Sequence, residues 1–213
     1  MICVSIGNVA FEKCLAVLDT VPFAEIRIDS MDVDAEKVRA LFSRPRLLVA
    51  ACRPGARSES ERKALLAEAI AAGASYVDLE AEAGEAYKRE LVAEARARGC
   101  RVIVSHHDFE RTPPRAELER VIRAGFEDGA DVVKVACRVR APADNARLLG
   151  LLDAARPLVV VGMGPAGRIT RIAAPLLGSP FTYASPEPGL ETAEGQIDQA
   201  ALREYLRGLS GDG

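Results

Sequence analysis

The sequence predicts an α/β fold, a single-domain (β/α)8 TIM barrel, and three observations carry that expectation. Eight short apolar runs rich in β-branched residues recur along the 213 residues: Ile2–Ile6, Ala24–Ile28, Leu47–Ala51, Tyr76–Glu80, Val102–Ser105, Val132–Ala136, Leu158–Gly162 and Phe181–Ala184. Their starts lie roughly 22 to 30 residues apart, the spacing of one strand plus a crossover helix. Few polar residues alternate within them, so each strand is buried on both faces, as parallel sheets covered by helices require. The first turn, Ser5-Ile6-Gly7-Asn8, lacks the glycine spacing that cradles a pyrophosphate, which favours a closed barrel over a doubly wound sheet.

The helices between the runs follow from apolar spacing and stop signals. Glu61–Ala72 carries Leu65, Leu66, Ala69 and Ile70 on one face and stops at Gly73, and Ala83–Arg98 stops at Gly99. Pro114–Phe126 opens with proline in its first turn and keeps Leu118, Val121 and Ile122 together. Similar spacing places helices over Asp144–Ala154 and Asp198–Leu206. A length of 213 residues is about 1.4 average domains, so one domain over 1–213 is expected, with 210–213 as a loose tail.

Composition narrows the function classes. Hydrophobic residues make up 49% and charged residues 28%, and 28 Lys+Arg against 31 Asp+Glu leave a net charge of -3, which argues against disorder and against a nucleic-acid footprint. No apolar run approaches the roughly 20 residues of a membrane span, and the start lacks the marks of a secretory signal. A cytoplasmic protein with a small, soluble partner is expected. The five cysteines, Cys3, Cys14, Cys52, Cys100 and Cys137, show no CxxC spacing and read as buried, reduced thiols. The two histidines are adjacent, so no metal site is expected.

In such a barrel the chemistry sits where strands end, so polar residues there are the candidates. Glu25, Arg27 and Asp29 alternate onto one face of the second run. Arg53 ends the third, and Asp78 and Glu80 lie in the fourth. His106 and His107 end the fifth, and alternation lets only one of them face inward; an imidazole suits proton transfer both ways. Lys134 stands amid Val132, Val133, Val135 and Ala136. A desolvated amine there is a nucleophile toward carbonyl carbon; the competing reading is a lysine held by Glu80 or Asp78. Glycines of Gly162–Gly167 precede Arg168 and Arg171, a helix-start arrangement for an anion, and the acidic residues Glu187, Glu191 and Glu194 favour a carboxylate over a phosphate.

Taken together, five segments resemble the type I 3-dehydroquinate dehydratase family: Glu25–Asp29, Ser105–Phe109 with Thr112-Pro113, Asp131–Lys134, Gly164–Arg171 and Thr192–Ile197. The resemblance implies a cofactor-free lyase, a homodimer, that converts 3-dehydroquinate, a small carboxylate, into 3-dehydroshikimate. It makes Lys134 the Schiff-base residue and His107 the proton carrier, with Glu25 orienting His107 and raising its basicity. The implied substrate-binding set is Arg27, Arg53, Arg171, Gln196, Thr192, Ser5 and Met163, with Arg171, not Arg168, on the carboxylate. The chain departs from the family pattern after Arg53, where Glu59 meets the histidine-supporting glutamate only with a loop two residues longer. Thr192 stands for serine and Glu194 for proline. Two other readings of the same barrel are a class I aldolase of another family and a non-catalytic metabolite-binding protein.

Overall fold

Each of the eight runs forms a strand in the computed structural model, which describes residues 1–154 and 156–210. The strands are β1 (Ile2–Ile6), β2 (Phe23–Arg27), β3 (Leu47–Ala51), β4 (Tyr76–Glu80), β5 (Arg101–Asp108), β6 (Val132–Arg138), β7 (Leu158–Met163) and β8 (Thr182–Ala184). Helices alternate with them: α1 (Phe11–Thr20), α2 (Ala35–Phe42), α3 (Glu59–Ala72), α4 (Glu85–Ala97), α5 (Arg115–Glu127), α6 (Pro142–Leu149), α7 (Arg168–Leu176) and α8 (Gln199–Ser210). The sheet runs β7-β6-β5-β4-β3-β2-β1-β8 with every pair parallel. Its two ends, β7 and β8, lie beside each other, so the barrel is closed except for a seam without a hydrogen-bonded ladder.

Local chemistry moves several boundaries. A capping box between Ser58 and Glu61 starts α3 at Glu59, two residues before the apolar spacing begins. The expected helix over Asp144–Ala154 is α6 followed by a 3₁₀ turn, Gly150–Asp153. The fifth strand continues past Ser105 to Asp108, because polar residues that line the barrel mouth still pair with β6. Of the tail expected at 210–213, Ser210 ends α8 and 211–213 lie outside the described residues.

Alternation along the strands sorts the core into two shells. Residues such as Ile26, Leu48, Val77 and Val104 face the helices of the first half, and Val133, Val135 and Val160 face those of the second. The intervening residues fill the barrel, where Phe23, Tyr76, Phe181 and Tyr183 pack as tilted or edge-on rings with centroids 5.2 to 6.1 Å apart. Fully burying an aromatic or large aliphatic side chain contributes about 1.5–3 kcal/mol. This plug closes the lower interior and, among the described residues, leaves space at the C-terminal ends of the strands.

Candidate active site

That space is a cavity of about 710 Å³. Its floor is a charged cluster assembled by strand register. Ser105 pairs with Glu80 on one side and with Lys134 on the other, so β4, β5 and β6 deliver a carboxylate, a hydroxyl and an amine to adjacent positions. Lys134 is 6% exposed, and its Nζ lies 3.0 Å from Asp78 Oδ2, 3.6 Å from Glu25 Oε2 and 4.6 Å from the centroid of the Tyr183 ring. The valines beside it in sequence turn toward the helices. Its inward neighbours come from β2 and β4 and are charged, so the lysine is both buried and held by carboxylates.

Arg53 completes the cluster. Its Nη1 and Nη2 donate to Asp78 at 3.1 and 2.7 Å, and Nη1 also reaches Glu80 and Ser105 Oγ. Ser105 Oγ in turn donates to Asp78 Oδ1 at 2.6 Å. Burial opposes ionisation of Asp78, but the charges of Arg53 and Lys134 outweigh it and hold the carboxyl below its ordinary range. Glu80 is likewise buried, and its bond to His107 and the Arg53 charge bring it down to about 2.

His107 faces the cavity and His106 faces outward, paired with Glu82. His107 Nδ1 lies 3.3 Å from Glu80 Oε2, and its ring stacks on Phe109 with centroids 6.0 Å apart. Because Glu80 is ionised, Nδ1 carries the proton and Nε2 is free to accept one. Burial and the Arg53 charge push the imidazole below its ordinary pKa, against the pull of Glu80. It is therefore neutral, the form a base requires.

Arg171 reaches the cavity from α7 across the β7–β8 seam. Gly167 packs so tightly on Gly162 that a Cβ would stand 2.3 Å from the Gly162 carbonyl carbon, and Thr170 Oγ1 ties the helix start to Gly162 N at 2.7 Å. Arg171 is 1% exposed, with Nη1 directed at Tyr183 O, while Nε and Nη2 have no partner. Burial and neighbouring Arg168 lower its pKa to about 10, so it keeps its charge at neutral pH. An unpaired, charged guanidinium edge inside a cavity is a fork for a carboxylate. Arg168 instead donates to Gln196 O in the segment that covers the mouth.

That segment reaches the cluster through a chain of hydrogen bonds. Gln196 bonds Thr192, Thr192 Oγ1 lies 2.7 Å from Ser5 Oγ, and Ser5 donates to Glu25 Oε1 at 2.7 Å. Met163 lines the apolar wall.

Two expectations change. Glu25 does not touch His107: it lies on β2 beside Ser5, across the barrel from β5, and the carboxylate on His107 is Glu80 from adjacent β4. Nor is the imidazole made more basic, since burial outweighs its carboxylate. Glu59 lines the cavity without displacing Glu80. Arg27 and Arg53 line the cavity as well, but their guanidinium groups are engaged with Asp29 and with Asp78 and Glu80. The sequence offered Asp78 or Glu80 as a carboxylate for Lys134; register between strands decides that Asp78 takes the lysine and Glu80 the histidine, which no local pattern encodes.

The model of the family described as type I 3-dehydroquinase matches residues 2–212. The chain is 42% identical over 153 residues to the 3-dehydroquinate dehydratase of Thermococcus gammatolerans, covering 72% of this chain and 70% of that one. It is 36% identical to the enzyme of that name from Desulfotalea psychrophila, over 95% of both chains. The crystal structure of 3-dehydroquinate dehydratase from Geobacillus kaustophilus superposes with a TM-score of 0.87 at 26% identity, covering 98% of this chain and 90% of that one. With the family model spanning nearly the whole sequence, this chain belongs to the type I 3-dehydroquinase family.

Proposed function

We propose that this protein dehydrates 3-dehydroquinate to 3-dehydroshikimate through a Schiff base on Lys134. The observation that carries the assignment is the meeting of a buried amine, a neutral imidazole and the unpaired edge of Arg171 in one cavity. Arg171 binds the substrate carboxylate side-on through Nε and Nη2 and fixes which face of the ring meets His107. The Lys134 nitrogen adds to the C3 carbonyl carbon, the carbonyl oxygen takes up a proton, and loss of water leaves an iminium. His107 Nε2 then removes a proton from C2; the C–H pair forms the C2–C3 double bond and the C=N π pair moves to nitrogen. The enamine returns that pair, the C1–O bond breaks, and the hydroxyl leaves as water with the proton from His107. Hydrolysis frees the product and the amine.

Gln196, Thr192 and Ser5 support the reading as polar groups over the substrate, and Met163 as its apolar wall. The contacts of Glu25 favour a place beside the lysine nitrogen. We assign the same activity to a cytoplasmic homodimer; exposed Ile169, Leu176 and Leu177 at α7 and Tyr205 and Leu209 on α8 offer apolar surface for a second copy, which sedimentation would register as doubled mass. Among the described residues no helix is long and apolar enough to cross a membrane. The deciding experiment is borohydride reduction in the presence of 3-dehydroquinate followed by peptide mass mapping. A reduced adduct on Lys134 is expected. Its absence in protein that binds the compound would leave the metabolite-binding reading.

A further inference from the structure

The proton relay employs Lys134 and His107 and gives Asp78 no task. Yet Asp78 is the nearest charge to the lysine nitrogen and the most firmly held: Arg53 grips both its oxygens, Ser105 Oγ bonds Oδ1, and Oδ2 faces Nζ at 3.0 Å. A carboxylate bound this way is a poor base, because taking a proton would forfeit the Arg53 pair. It is a standing negative charge in a dry site, where such charges act strongly. Glu25 differs: it lies 3.6 Å from Nζ, and its Oε2 is buried without a hydrogen-bond partner. The other groups facing the nitrogen or close to it are Arg53, Glu80, His107, Arg171 from α7, Tyr183 from β8 and Cys3 from β1.

We propose that Asp78 is the fixed counter-charge of the Lys134 nitrogen, carried over from the ammonium to the iminium, and that it keeps the imine in its protonated, electron-accepting form. The inference rests on Lys134 being the Schiff-base residue. After water leaves, the nitrogen keeps one N–H and a positive charge. That charge vanishes when the C2 proton is removed and returns when the enamine expels the C1 hydroxyl, so a nearby anion favours the expulsion. A neutral imine draws electrons from C2 far less well. The same anion also favours the resting ammonium, so Asp78 slows amine attack and speeds elimination.

Asp78→Asn separates these effects. With the full chain and 3-dehydroquinate, the borohydride adduct on Lys134 should still form in the variant. The pKa of its iminium should fall by about one to three units. Turnover at pH 8 should drop about 10²- to 10³-fold and recover toward pH 6, while KM changes by less than about threefold. Asp78→Glu should restore part of the neutral-pH rate. An equal loss at every pH with the adduct retained, an unaltered profile, or loss of the adduct from the variant alone would each overturn the proposal. A wild-type protein without adduct would instead overturn the Schiff-base assignment. Should Asp78→Asn lose its native circular dichroism, Ser105→Ala carries the test, since it removes the Ser105 bonds to Asp78 Oδ1 and Arg53 but leaves Arg53 on both Asp78 oxygens. A smaller displacement of the alkaline limb in the same direction is expected, and a folded Ser105→Ala with the wild-type profile refutes the idea.

Discussion

Arg171 is buried almost completely while two of its nitrogens lack partners, and a buried donor left unmade costs on the order of 1–3 kcal/mol. An arriving carboxylate removes that penalty, so Arg171→Ala should raise KM by about 10²-fold and touch kcat less. Arg171→Lys should recover only part of the affinity, because a point charge replaces a planar fork. Arg168→Ala should do little, and equal effects of the two alanine variants in steady-state kinetics would contradict the assignment. His107→Ala should still yield the borohydride adduct and stall afterwards, whereas Lys134→Ala should yield none. Glu80→Gln removes the one group that raises the His107 pKa, so the acid limb of kcat/KM should move to lower pH as kcat falls about 10- to 10²-fold. A limb that moves upward would rule out Glu80 as the partner of this imidazole.

At the scale of elements, the covering segment is seated by one close contact. Gly195 has φ +81°, and a Cβ there would stand 2.3 Å from Gly164 O, while the Glu194 carbonyl accepts from Gly164 N at 3.1 Å and its carboxylate accepts from Arg138. Gly195→Ala should therefore lift the segment, raising KM and lowering kcat together, while thermal stability falls by less than about 2 kcal/mol, since the rest of the barrel is untouched. A variant with wild-type kinetics would show that the contact does not seat the cover. The strands were legible because a sheet buried on both faces must be written as uninterrupted apolar runs; Leu47–Ala51 and Tyr76–Glu80 begin and end where those runs do. The tail of β5 was hidden for the opposite reason, since His106, His107 and Asp108 are ladder residues with polar side chains. Helices α1 and α2, only 10 and 8 residues long, offer too few turns for their apolar face to stand out. Of the site, Lys134, His107 and Arg171 each carried a local mark and a carboxylate from the fourth run was foreseen for the lysine, whereas the choice of Asp78, 56 residues from Lys134, over Glu80 is made only once β4 and β6 flank β5.

For the whole molecule, the ring of strands places Arg53 and Lys134 against Asp78, Glu25 and Glu80 in the middle of the barrel, and stability is tied to the ionisation of Asp78 and Glu80. Asp78 and Glu80 have folded pKa values below the ordinary carboxylate range of about 3.9 to 4.3, Glu80 at about 2. Their contribution is thus complete above that range and is lost as pH falls through it toward the folded values. His107 is also lowered, so an unfolded imidazole takes up its proton first and stability begins to decline as pH falls below about 6.5. His106 acts in the opposite sense, because Glu82 raises its pKa and protonation strengthens that pair. The two histidines therefore act in opposite senses, and the main loss comes from the inner carboxylates at lower pH. Scanning calorimetry from pH 8 to pH 3 should give a nearly level Tm down to about pH 5 and a steep fall beyond it. In Glu80→Gln the fall should be shallower and begin from a lower plateau, since the charge that titrates is gone along with its pairing to Arg53. High salt should leave the wild-type curve nearly unchanged, as buried pairs escape the screening that weakens surface ones. A Tm that climbs between pH 5 and pH 3 would mean that the inner carboxylates are held protonated, and the charge arrangement on which Lys134 depends would have to be abandoned.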